Sequence, residues 1–358
     1  MPHEISLEPG PSQVHFSCSH YIKKAFNENL CSISHRSSKF QDIYSFTEHQ
    51  LRQVLNVPDH FNLLFLSSAT DIWERIIQNF VPNSSHHFIN GAFSQRFYDF
   101  AINLGKNSSF TEGQPGLEFE SFCIPDSTDL IAVTMNETST GYAFRSKQLK
   151  KLRYNYNNKL IAVDAVSSAA AVPLDWDTFD MTYFSVQKCF GLPAGLGVWI
   201  LNDKSIERYF ELKEKYNLRG TYRSLDSLIK SAKKNQTPET PNVLNIYLLG
   251  KIAFEMNKKG ISHIQNDIIY KKTLLYKTLT DHPWLTPHIK IPENRSKTVI
   301  VSDCSEYQAE ILKYFNSHSI RVGKGYGDFK DSHIRIANFP AHSKETIEYV
   351  VDLFQKIG

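Results

Sequence analysis

No apolar run in this chain of 358 residues is long enough to cross a bilayer: Leu160–Val163 with its neighbours and Thr298–Val301 fall far short. The N-terminus also lacks a basic stretch followed by an apolar signal core, so a cytoplasmic protein without a membrane partner is expected. Charge of one sign is scarce too. Forty Lys and Arg against 37 Asp and Glu leave a formal +3, too small a surplus to recruit nucleic acid, though a small anionic ligand is compatible with it. The five cysteines (Cys18, Cys31, Cys123, Cys189, Cys304) are scattered, with no C-x-x-C pair. That pattern excludes a disulfide framework and a structural zinc site, and buried free thiols are expected. His86-His87 has no third ligand at strand or helical spacing, so no metal centre is expected either.

What is present is apolar material, 41% of residues against 22% charged, enough for a substantial core spread over two packed domains. Asn62–Leu66, Leu130–Thr134, Leu160–Val163, Met181–Ser185 and Gly197–Leu201 read as buried strands. Between them lie amphipathic stripes. Ile72, Trp73, Ile76, Ile77 and Phe80 share one helical face, and Phe97, Phe100, Ala101 and Leu104 another. Such alternation predicts an α/β layer with a mainly parallel central sheet flanked by helices, whose ligands sit at the carboxyl ends of the strands.

From Lys204 to about Lys234 the composition turns polar, and Thr237-Pro238-Glu239-Thr240-Pro241 punctuates the chain as an extended connector. Beyond it come a helical run Ile246–Met256, a strand Thr298–Val301, a helix around Tyr307–Phe315, a strand Ile334–Ala337 and a last helix opened by Ser343. The expected division is a large domain over residues 12–245 and a smaller α/β domain built from residues 1–11 and 246–358.

Two strand ends carry chemistry. Val163-Asp164-Ala165-Val166-Ser167-Ser168 places an aspartate at the end of a buried strand, where a carboxylate is costly unless it meets a cation such as a pyridinium nitrogen. Ser185-Val186-Gln187-Lys188-Cys189-Phe190-Gly191 places a lysine after the next strand, where its amine is suited to form an imine with a cofactor aldehyde. Burial there would lower the ammonium pKa and let the same amine carry a proton. Taken singly, Asp164 reads as a turn cap and Lys188 as a surface cation.

Together they resemble the class V, fold-type I pyridoxal-phosphate aminotransferases, and within them most closely the phosphoserine aminotransferases. The resemblance runs over nearly the whole chain. It takes in Leu7-Glu8-Pro9-Gly10-Pro11, similar to the family's N-terminal strand, and Ile33-Ser34-His35-Arg36-Ser37, similar to its substrate arm. It continues through Ser67-Ser68-Ala69-Thr70, Asn90-Gly91-Ala92-Phe93-Ser94 and Asn136-Glu137-Thr138-Ser139-Thr140-Gly141. The resemblance implies pyridoxal 5'-phosphate as cofactor. It implies Lys188 and Asp164 as catalytic residues, phosphate contacts from the Ala69 amide, Thr70 and Gln187, ring stacking by Phe93 and a Thr138 bond to the phenolic oxygen. It also implies that Thr240 completes the phosphate site from the second subunit of a homodimer with shared active sites.

For the substrate, the resemblance implies His35 and Arg36 on the arm and Arg335 on the α-carboxylate of small amino and keto acids. The implied reaction passes the amino group of glutamate to 3-phosphohydroxypyruvate, giving 2-oxoglutarate and O-phosphoserine in serine biosynthesis. Where the best-known bacterial phosphoserine enzymes carry a histidine-arginine pair, this chain reads Gly323-Lys324-Gly325-Tyr326-Gly327, leaving Lys324 as a substitute phosphate cation. The alternative is an alanine– or serine–glyoxylate aminotransferase of the same class. A cysteine desulfurase is disfavoured by Gln187 and by an Arg321–Lys330 loop without cysteine, and Cys304 reads as structural. A non-enzymatic binding module is disfavoured by the intact Lys188, Asp164 and Thr138.

Overall fold

Runs of branched and aromatic residues buried on both faces can only be strands covered by helices, and the computed structural model of the protein has that construction. It describes residues 4–113, 119, 122–218 and 220–357. In chain order come β1 (Ile5–Leu7), α1 (Cys18–Asn27), α2 (Ser38–Leu55), β2 (Phe61–Leu66), α3 (Ala69–Phe80), β3 (Ser85–Ile89), α4 (Ala92–Asn103) and β4 (Ser109–Glu112). Next are β5 (Leu130–Thr134), α5 (Ser146–Asn155), β6 (Leu160–Asp164), β7 (Met181–Ser185), β8 (Gly197–Asn202), α6 (Asp203–Tyr216), α7 (Leu225–Ala232) and α8 (Val243–Lys259). The remainder is α9 (Ile261–Asp281), β9 (Thr286–Pro287), β10 (Val299–Asp303), α10 (Gln308–Ser317), β11 (Ile320–Lys324), β12 (His333–Ala337) and α11 (Lys344–Lys356).

Among the described residues, seven strands form a sheet in the order β2-β8-β7-β6-β5-β3-β4. All neighbours are parallel except β8, which runs antiparallel to both β2 and β7. Because β2 and β7 each oppose β8, the carboxyl ends of β2, β3, β5, β6 and β7 share one edge. Helices α3, α4, α6 and α7 cover one face, with Ile72, Trp73, Ile76, Ile77, Phe80 and Phe97 in that core. The opposite face carries α1, α2, α5 and α8. Each such side chain taken fully from water contributes about 1.5–3 kcal/mol.

A second sheet has the order β1-β11-β12-β10-β9, antiparallel except for the β1–β11 pair. Its core joins Leu275 and Leu279 of α9 to residues of α10 and α11. The helix after the connector, α8, buries Ile246, Leu249, Ile252 and Met256 in the core of the larger layer.

Three cysteines are buried as expected, but Cys31 and Cys123 are exposed, because both lie in connecting segments outside the cores. His86 and His87 are buried in β3; the Ser109 and Thr111 hydroxyls meet both His86 ring nitrogens, and the Ser85 hydroxyl meets His87 Nε2 while its Nδ1 has no partner. Among the described residues no helix is long and apolar enough to cross a membrane.

Candidate active site

Strand β7 ends at Ser185, and three residues on Lys188 turns back into the protein, only 7% exposed. Its amine donates to Thr138 Oγ1 at 2.8 Å and stands 5.2 Å from the centre of the Phe93 ring. The N-terminal segment closes over it: a Cβ on Gly10 would lie 3.0 Å from Lys188 Cε. Burial lowers the Lys188 pKa, while the carboxylates of Asp164 and Glu137 pull it back up. The amine is thus closer to losing its proton than a surface lysine.

Asp164 is the last residue of β6, in register with Tyr183 of β7. It is 3% exposed and accepts the Val166 N–H at 2.8 Å through Oδ1. Burial pushes its pKa up; the Val166 N–H and the charge of Lys188 only partly counter this. A cationic group docked against this carboxylate would restore its ionised form.

The loop after β5 supplies both Thr138 and a fully buried carboxylate, Glu137. Glu137 Oε2 accepts the Ser94 N–H and hydroxyl, both at 3.0 Å. Its Oε1 accepts the Phe93 N–H at 3.4 Å, the Ser139 N–H at 3.1 Å and the Ser139 hydroxyl at 2.6 Å. A negative charge therefore caps the N-terminus of α4, the favourable end of the helix dipole, and fixes the turn that carries Phe93. Gly91 permits the approach, since a Cβ there would lie 2.5 Å from Glu137 Cγ.

From the second sheet comes Arg335, donating through Nη1 to the Thr138 carbonyl at 3.3 Å and through Nε to the Lys324 carbonyl at 2.7 Å. Its guanidinium lies 5.3 Å from the Tyr326 ring, which in turn lies 5.2 Å from the Phe93 ring. Behind Thr138, Asn136 joins the two bodies. Its Nδ2 donates to Ser167 Oγ at 2.7 Å and Thr298 Oγ1 at 3.1 Å, and its Oδ1 accepts the Ser296 hydroxyl at 2.6 Å.

At the start of α3, Ser68 caps the helix by accepting the Asp71 N–H at 3.1 Å. Thr70 is half-buried in that first turn, and the Ala69 amide already has a partner, the Ser185 hydroxyl at 2.9 Å. Gly197 of β8 passes so close that a Cβ would lie 2.5 Å from the Ser68 carbonyl carbon. Gln187 buries an amide oxygen with no hydrogen-bond partner.

A neighbouring cluster contains His35, whose Nδ1 is 3.4 Å from Thr240 Oγ1 and whose Nε2 is buried without a partner. Arg223 links Glu239, at 3.1 Å, to Asp71 and to the Ser67 hydroxyl at 3.2 Å, tying the connector to the α3 turn of the same chain. Lys188, Asp164, Thr138, Phe93 and Arg335 thus form one constellation, with Ala69, Thr70 and Gln187 around the β2 and β7 turns. His35 and Thr240 form the second. Arg36 and Lys324 are exposed, and Lys324 meets Arg335 through its carbonyl and not its ammonium.

Sequence reasoning missed the capping role of Glu137, the tilted ring contact made by Tyr326, and Arg223. Glu137 was legible only as a motif letter, and the Ser94 hydroxyl at the third position of α4 was its local signal.

The residues fit pyridoxal phosphate part by part. Lys188 matches its aldehyde, Asp164 the ring nitrogen, Phe93 the ring face, and the N-terminal turn of α3, with Gln187 beside it, the phosphate.

The family described as Aminotransferase class-V matches residues 111–327. A phosphoserine aminotransferase from Cytophaga hutchinsonii, solved as a crystal structure, is 40% identical with a TM-score of 0.97, covering all of both chains. The phosphoserine aminotransferase of Rhodococcus opacus is 27% identical over 324 residues, 88% of this chain and 84% of its own. An alanine–glyoxylate aminotransferase from Nostoc sp. is 20% identical with a TM-score of 0.82, covering 99% of this chain and 95% of its own, a likeness of fold.

Proposed function

The chain belongs to the class-V aminotransferase family, and from that premise we propose that it moves an amino group between glutamate and 3-phosphohydroxypyruvate, giving 2-oxoglutarate and O-phosphoserine, as a step of serine biosynthesis. Pyridoxal phosphate is its cofactor. The observation that carries the reading is the buried Lys188 amine, held by Thr138 and set against the buried Asp164 in a chain 40% identical throughout to a phosphoserine aminotransferase.

When bound, the cofactor supplies an electron sink for the pair left behind as the substrate α-proton departs. Lys188 would hold the aldehyde end and, once free, take that proton, which its lowered pKa favours. Thr138 aims the amine. Asp164 would keep the ring nitrogen protonated, and Phe93 would cover the ring. Arg335, braced by the Thr138 and Lys324 carbonyls, would grip the substrate α-carboxylate.

His35, Arg36 and Thr240 would serve the site of a second copy in a homodimer, with Lys324 as an additional cation near the substrate phosphate. Such sharing would make a homodimer the working enzyme, and its place would be the cytoplasm. The glyoxylate alternative rests on fold-level likeness alone.

The deciding experiment is the absorbance of the cofactor-loaded protein during separate single-turnover additions of O-phosphoserine, serine, alanine and glutamate. Conversion of the bound cofactor to its amino form by O-phosphoserine and glutamate only is the expected result. Conversion by serine or alanine would move the assignment to the glyoxylate enzymes.

A further inference from the structure

A second cavity, about 730 Å³, opens on the far side of the loop that carries Thr138. Its size falls within the roughly 300–1,000 Å³ typical of small-molecule sites. Met135, Phe144, Val172, Leu174 and Trp176 give it an apolar floor from the larger body, while Lys272, Arg295 and Lys297 line it from α9 and the segment before β10. Lys272 and Arg295 lie over the same Tyr276 ring, at 5.7 and 5.1 Å. Burial lowers the Lys272 pKa, and the charges of Lys297 and Arg295 lower it further against the opposing pull of Glu293. Of the other acids on the lining, Asp175 is already paired with Lys150 at 3.2 Å, and Asp177 is exposed. Ser168, fully buried on the same lining, has a hydroxyl without a partner.

Crowded cations beside an apolar floor that includes the Phe144 and Trp176 rings, with an unused buried hydroxyl on the same lining, suit one kind of ligand. We propose that this cavity binds a small organic anion, one carboxylate on a flat apolar body, and that its occupancy is transmitted to the active site through Asn136. The carboxylate meets Lys272 and Lys297, and the body lies against Trp176 and Leu174. Asn136 lines the cavity, binds Ser167 from the larger body and Ser296 and Thr298 from the smaller, and stands two residues before Thr138. A ligand touching both bodies here favours one setting of that network over another.

The test uses 2-naphthoate, which has no keto or amino group to react, titrated calorimetrically into the cofactor-loaded protein. One site per chain is expected, with the neutral 2-naphthamide binding at least roughly tenfold more weakly because the charge contact is missing. Lys272→Ala/Lys297→Ala should weaken 2-naphthoate by roughly tenfold or more, and Leu174→Glu, made separately, should do the same by placing a carboxylate beneath it. At saturating 2-naphthoate the KM for the amino substrate should change without competition. No binding at millimolar concentration, equal binding of the amide, binding untouched by both variants, or competition with O-phosphoserine would each overturn the site. Normal binding with unchanged kinetics would overturn the coupling.

Discussion

Replacing Glu137 with Gln preserves its shape and removes its charge, and the hydrogen bonds around it set the cost. The carboxylate faces only donors: the Ser94 N–H and hydroxyl at one oxygen, the Phe93 N–H, Ser139 N–H and Ser139 hydroxyl at the other. A carboxamide must turn its own NH2 towards one of these sets. The less damaging orientation directs it at Ser94, whose hydroxyl already accepts the Asn90 and Gly91 amides and so offers no relief. One buried N–H is then left opposite a donor, costing about 1–3 kcal/mol. Loss of the negative charge from the start of α4 adds about 0.3–2 kcal/mol, for a total of about 1–5 kcal/mol. Urea unfolding of the cofactor-free protein at fixed concentration reads this directly. Because the same turn positions Phe93, cofactor affinity in an absorbance titration should fall as well, by about tenfold for each 1.4 kcal/mol transmitted. Stability within about 0.5 kcal/mol of the parent, a change typical of an ordinary surface substitution, would refute the capping argument.

Three other substitutions probe the site and its surroundings. Lys188→Ala should abolish turnover while leaving noncovalent cofactor binding measurable by dialysis, and retained turnover would remove Lys188 from the chemistry. Tyr326→Leu removes a ring contact to Phe93 and a cation–π contact to Arg335, worth together about 1–2 kcal/mol, so initial-rate kinetics should show KM rising roughly tenfold with a smaller change in kcat. Lys271, 1% exposed, donates to the carbonyls of Phe339 at 3.1 Å and His342 at 2.8 Å, and burial lowers its pKa to about 7. The unfolded lysine keeps its ordinary higher pKa, so between the two values the unfolded chain holds more protons and stability rises with pH. Lys271→Met should flatten that rise, which has a limiting slope of about 1.4 kcal/mol per pH unit, in unfolding curves taken from pH 7 to 9.

The strands that carry the chemistry were legible because burial on both faces demands uninterrupted apolar runs, and Asp164 and Lys188 stand out as charges at their ends. β3 was not, since Ser85-His86-His87 looks polar until β4 supplies hydroxyls beside it. Helix α8 follows the connector at once, yet its apolar face belongs to the larger layer. Apolar composition says that a face is buried, but not which of two cores receives it. Glu137 and Tyr326 were unreadable for a related reason, because their partners come from elements distant in sequence. The Ala69 amide shows a subtler limit: a donor at a helix start looks free in sequence, yet here Ser185 occupies it from the neighbouring strand.

Gly197 bears on how this protein tolerates change. It has no reactive atom, yet any side chain there would press on the backbone of Ser68, from which the α3 turn begins. In a scan of every substitution, position 197 would therefore score like a member of the reaction centre. Its intolerance would record the thickness of a β-strand laid against a turn, and a map of lost activity would outline a site larger than the set of atoms that touch the substrate.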